Sequence, residues 1–189
     1  KRFADGERPT HRRALGVRTH RRLVREEAAA SQLGQLPGPG EEVICLLTGD
    51  WHGWDMVGAV ASLAGCPISH LRVATLGFNK TQAEDLGAMI DVGTIGRCSF
   101  LASDIFFEAN RDEWARLQTV LESRGQRCAH DRNHCKLLCF DLADGRKLAA
   151  HGSLNLRRCN AFEQLALAND PETHDWFAGW IDEILARHA

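Results

Sequence analysis

Two short segments carry most of the chemistry this sequence can offer. The first is His134-Cys135-Lys136, with Asp141 five residues further on, and the second is Gly152-Ser153-Leu154-Asn155. In an extended strand alternate side chains share a face, so His134 and Lys136 form one pair and Ser153 and Asn155 another. Between the two segments Asp144-Gly145, flanked by apolar runs, is a hairpin signal. A two-residue turn centred there pairs residues whose numbers sum to 289, placing His134 opposite Asn155 and Lys136 opposite Ser153. His151 then falls opposite Leu138 on the same face, as a secondary candidate. An imidazole, an ammonium, a hydroxyl and an amide within two rungs, with Cβ atoms about 5 Å apart, make a phosphate-binding cluster. Asp141 has the opposite parity, points away, and is assigned a supporting role.

Written as H-x-K-x4-D followed by G-S-x-N, these residues resemble the signature of the phospholipase D superfamily. The selection of lysine is pointed, because the chain holds only four lysines among 23 basic residues. Members of that family carry a glutamate on the strand after G-S-x-N, bonded to the histidine, and Glu163 at the head of the apolar run 162–168 matches it. A carboxyl in that place fixes the tautomer of the imidazole and steadies its charged form. One departure is the spacing of ten residues between Asp141 and Gly152, where the family usually has six. Four extra residues lengthen both strands of a hairpin equally.

The resemblance implies a reaction without metal or other cofactor. His134 attacks phosphorus to give a phosphohistidine, a second histidine protonates the leaving oxygen, and water then cleaves the intermediate. Lys136, Asn155 and Ser153 stabilise charge on the phosphoryl oxygens. Here only His134 is followed two positions on by lysine. A complete site therefore calls for a homodimer, each copy bringing one motif to a shared centre, as single-motif members do. By analogy with small single-motif members, the expected substrate is nucleic acid, making the protein a nuclease-like phosphodiester hydrolase. A lipid phosphodiesterase of the phospholipase D type and a non-catalytic module that binds phosphate or nucleic acid are the alternatives.

Composition sets bounds. The 189 residues suffice for one substantial core, 44% are hydrophobic, and no apolar run approaches the roughly 20 residues of a membrane span, which argues against integral membrane association. The odd cysteine count of seven, scattered through apolar segments, suggests reduced core residues and a cytoplasmic setting. Cys128, His130, His134, Cys135 and Cys139 are an alternative zinc set, though one that leaves Lys136, Ser153 and Asn155 without a role. The net charge of −2 conceals basic stretches at residues 1–30 and 127–158. The second suits an anionic substrate, with Arg127, Arg132, Arg157 and Arg158 either lining its approach or merely solvated.

The elements that must position these residues alternate between strand and helix from Glu41 onward, giving an α/β fold: a phospholipase D-like mixed sheet flanked by helices, with an N-terminal helical arm. Residues 1–40 read as that basic arm plus a Pro/Gly linker, and residues 41–189 as the phospholipase D-like domain. The arm has a weak helical pattern through Leu15, Leu23 and Val24. Strands are expected near 43–48, 71–76, 97–102 and 162–168. Helices are expected at 55–64 before Gly65, from a capping box at Thr81 to about 91, from a second box at Asn110 to 124, and after Asp170-Pro171. At the first strand-to-helix crossing, Gly49 to Asp55 offers His52 and two tryptophans for a ligand, or else a helix cap and core filling. Ser103-Asp104 reads as a turn.

Overall fold

The computed structural model describes residues 15–47, 49–153, 156 and 162–188, with side chains from residue 20. In chain order the elements are α1 (Leu15–Leu33), β1 (Glu42–Leu47), α2 (Asp55–Ala64), β2 (Ile68–Thr75), α3 (Lys80–Asp91), β3 (Ile95–Ser103) and α4 (Asp104–Ala109). They continue with α5 (Arg111–Glu122), β4 (Arg127–Asp131), β5 (Leu137–Leu142), β6 (Lys147–Gly152), β7 (Glu163–Ala168) and α6 (Pro171–Arg187).

The seven strands form one mixed sheet in the order β1-β7-β6-β5-β2-β3-β4. Strands β2, β3 and β4 run parallel, and the remaining neighbours are antiparallel. Side-chain alternation splits the core in two. On one face Leu138, Phe140, Val73 and Phe100 meet α1 to α5, and on the other Ala74, Leu101, Ala129 and Cys139 meet α6. The fold is thus α/β, three layers deep.

Local chemistry accounts for most boundaries. Gly65, at φ 68°, ends α2 in the left-handed conformation that a side chain would resist. Asp170 caps α6 through the amides of Glu172 and Thr173, with Pro171 in the first turn. The box opening α3 is Asn79 with Gln82, two residues before the one expected at Thr81. At Asn110 no side-chain cap forms. Its amide donates instead to the Phe106 carbonyl at 3.0 Å, because α4 ends there. Helix α4 replaces the turn expected at Ser103-Asp104: the Ser103 hydroxyl accepts from the Ile105 amide at 3.2 Å. Strand β4 was missed because its alternation is interrupted by Arg127, His130 and Asp131.

Helix α1 packs through Ala29 and Leu33, both buried, while Leu23 and Val24 stand half exposed. Small side chains let α1 sit close to α2, and Arg25 reaches the buried Asp55 at 3.0 Å. None of the described helices is long and apolar enough to cross a membrane.

Candidate active site

The strand directions gather the chemical residues at one end of the sheet. There β1, β6, β2, β3 and β4 finish and β5 and β7 begin, so the segments holding His52, Ser153, Asp104, Asp131, Lys136 and Glu163 all border the same edge.

His134 and Lys136 lie just ahead of β5. Lys136 Nζ is 3.4 Å from His134 Nδ1 and donates to the His134 carbonyl oxygen at 3.2 Å. The imidazole is exposed and the lysine half-buried, so the pair faces solvent with its chain anchored behind it. The anchor is the buried Asn133: its amide donates to the Ala102 carbonyl at 2.8 Å and its oxygen accepts from the Cys135 amide at 3.2 Å.

The register differs from the expected one by a single residue. The Leu142 amide donates to the Arg146 carbonyl at 2.9 Å and the Gly145 amide to the Leu142 carbonyl at 3.0 Å, closing a three-residue loop, Ala143-Asp144-Gly145. Gly145 takes φ 91°, the left-handed residue that such a loop needs. Pairs therefore sum to 288: Leu137 faces His151 and Asp141 faces Lys147. A one-residue slip reverses parity. The expected facing of Lys136 with Ser153 is thereby overturned, while Asn155, expected opposite His134, lies outside the described residues. His151 moves to the α6 face, beside Phe177 and 3.2 Å from Glu42, and leaves the candidate cluster.

Ser153 turns toward β7 instead. Its amide donates to the Gln164 carbonyl at 3.0 Å, and its hydroxyl accepts from the Gln164 amide at 2.9 Å. Next to Gln164, Glu163 opens β7 paired with Leu47, nine-tenths buried. Its Oε2 has no hydrogen-bond partner among the described residues. A buried carboxyl oxygen left unpaired is costly and calls for an explanation. Among the described residues no hydrogen bond joins His134 to Ser153 or Glu163. Leu156 accepts a hydrogen bond at its carbonyl from the Gln82 side-chain amide.

Asp141 lies on the α6 face, as its parity requires. It pairs with Arg72, which also donates to Asp182 at 2.8 Å, and lies 3.6 Å from the buried His174. This network under α6 had no sequence signal, since its members are scattered from residue 70 to 182. Beside it, burial and Arg72 lower the His70 pKa to about 4.

The aromatic segment after β1 takes the packing role. Trp51 and Trp54 are each only 2% exposed, and Trp51 donates to Gln32 at 2.9 Å, so neither presents a face to a ligand. The five zinc candidates are dispersed: His130 bonds Asp104 at 2.7 Å, while Cys139 is buried under α6. Burial pushes the Cys128 and Cys139 thiols up to about 12. Among the described residues, no three His, Cys, Asp or Glu side chains are grouped to hold a metal ion. Arg127 is half-buried and Arg132 exposed, while Arg157 and Arg158 lie outside the described residues.

No family model and no curated protein matches the sequence. Solved structures do. The phospholipase D family member Nuc from Salmonella typhimurium is similar over 76% of this chain and 93% of its own, with TM-score 0.53 and 15% identity. NucT from Helicobacter pylori is similar over 77% and 97%, with TM-score 0.51 and 14% identity. Polyphosphate kinase from Porphyromonas gingivalis is similar over 80% of this chain but 28% of its own, with TM-score 0.54 and 14% identity. With the sheet order and the His134–Lys136 pair in place at its edge, the likeness over nearly the whole of two of these chains leads to one statement: this chain has the phospholipase D superfamily fold.

Proposed function

We propose that the protein is a metal-independent phosphodiesterase acting on nucleic acid, with His134 as the nucleophile. The observation that carries this reading is the approach of Lys136 Nζ to His134 Nδ1, 3.4 Å apart at the open end of a phospholipase D-type sheet. The histidine attacks phosphorus, the P–O bond to the leaving group breaks, and a phosphohistidine forms. Lys136 stabilises the negative phosphoryl oxygens, together with Asn155 and Ser153. Glu163, with an unpaired buried oxygen, is the residue on this edge suited to hold the imidazolium. Water then hydrolyses the intermediate.

The leaving oxygen needs a proton, and no second histidine of this chain has a lysine two positions on. In this reading the donor is His134 of a second copy, so the active form is a homodimer with its motifs meeting at a two-fold axis. The basic stretch at residues 127–158 supports an anionic polymer as substrate. The names Nuc and NucT among the similar structures point the same way.

The test is hydrolysis of a generic phosphodiester and of single- and double-stranded DNA and RNA in excess EDTA, with a His134→Ala control. The reading expects cleavage that survives EDTA and disappears in the control. Cleavage abolished by EDTA overturns the metal-free mechanism. Cleavage of phospholipid alone favours the lipid phosphodiesterase, and binding without turnover favours the non-catalytic module. Full activity in a species that light scattering shows to be monomeric removes the homodimer.

A further inference from the structure

The outer edge of β4 carries a second constellation that the proposed reaction does not use. Arg111 places its guanidinium 3.8 Å above the ring of Phe107, and on Phe107 lies His130, stacked at 3.6 Å with 14° between the planes. Trp114 meets the His130 ring edge-on at 5.2 Å. Two carboxylates set the imidazoles: His130 Nδ1 is 2.7 Å from Asp104, and His188 Nε2 is 3.4 Å from Asp131. Phe107, Trp114, Cys128, Ala129, His130 and His188 all line one open cavity of 350 Å³.

The spacing of the two histidines is what gives this cavity a meaning. Their ring centroids are 6.4 Å apart with 40° between the planes. A planar ring stacked between two others needs about 7 Å, twice the usual contact distance. His188 stands at the C-terminal end of α6, its ring nitrogen 3.4 Å from Asp131, and a base entering here would have to turn this terminal ring parallel to His130. The slot would then extend the existing ladder of Arg111, Phe107 and His130 by one ring.

We propose that this groove is a stacking slot for a nucleobase of a single-stranded nucleic acid whose phosphodiester lies at His134. The proposal rests on the nucleic-acid reading above and deepens it. His130 and His134 border the same sheet end and lie four residues apart along the chain, which limits their separation to about 14 Å at most. One short oligonucleotide spans that distance. The buried Asn133 fixes the loop between the two sites, so their separation is built in. Asp104 and Asp131 repel a phosphate, so the base enters the groove and the backbone stays outside it. Stacking on aromatic and histidine rings is tolerant of base identity, which makes the slot an affinity device and not a sequence reader.

The experiment measures binding by the His134→Ala protein, which cannot turn substrate over, of a ten-nucleotide single strand and of the same strand built with abasic sugars. The base-bearing strand is expected to bind about tenfold or more tightly. That preference should fall to near unity in His134→Ala/His188→Ala and persist in His134→Ala/His188→Phe, which keeps a ring at the end of α6. Binding with no base preference, or a preference that survives His188→Ala, overturns the slot and leaves the nucleic-acid reading standing. Failure of either strand to bind, with generic phosphodiesterase activity intact in the unsubstituted protein, overturns both.

Discussion

Lys136 reaches back along its own chain to His134, with Nζ 3.4 Å from Nδ1, even though neither residue belongs to β5. The contact is a property of two side chains two positions apart in extended chain, and it survives a change in how the following strand is paired. Removal of the ammonium should therefore act on chemistry and not on folding. Lys136→Ala is expected to lower kcat/KM on a generic phosphodiester about 10²–10³-fold, the cost of losing one preorganised donor, with the denaturant midpoint unchanged. An equal loss in kcat and in stability would place Lys136 in the framework instead.

Gly152 should tolerate no side chain. A Cβ there would stand 2.2 Å from the Gln164 carbonyl oxygen, a backbone atom that cannot move aside without breaking the β6–β7 pairing. Gly152→Ala is expected to destabilise the protein by about 1–3 kcal/mol and to reduce activity, because Ser153 is held by that same residue. Urea unfolding of the variant beside the unsubstituted protein measures the first effect, and a midpoint within error of the original would contradict it.

The pairing of Arg72 with Asp141 and Asp182 ties β2 and β5 to α6. Substituting Arg72 by Ala leaves two partly buried carboxylates facing each other near His174, and should cost about 2–3 kcal/mol, below the range for fully buried pairs because the site is partly solvated. Asp141→Asn should cost less, since the amide still accepts from Arg72. Thermal unfolding of the two variants in parallel tests the ranking.

Stability should fall on mild acidification through His70. Burial is the main cause of its low folded pKa, about 4 against an ordinary 6.5, reinforced by Arg72 and Arg97. Between those two values the unfolded chain holds a proton that the folded chain does not, so stability rises with pH across the window and is lost as pH drops through it. The expected change is of order 2 kcal/mol after allowance for partial solvent screening. His70→Gln should flatten the profile between pH 4 and 6.5 relative to the unsubstituted protein, and an unchanged slope would assign the effect to other groups.

Much was legible in the sequence because it depends on neighbours along the chain. The α/β order, the end of α2 at Gly65, the Asp170-Pro171 start of α6 and the apolar strand behind Glu163 all follow from caps, breakers and side-chain period. The proximity of His134 and Lys136 belongs to the same class, as does the orientation of Asp141 away from Leu138 and Phe140.

What the tertiary structure decided is the pairing of those parts. Asp144-Gly145 signals a hairpin equally well for a two-residue or a three-residue loop, and the choice between them moves every partner by one and exchanges the faces. Only the packed sheet selects it, by burying Leu148 and Ala150 of β6 in the same core as Leu138 and Phe140 of β5. The Arg72–Asp141–Asp182 network and the His130–His188 slot likewise join residues dozens of positions apart. Such contacts have no period along the chain, so their energies appear only once the layers have closed.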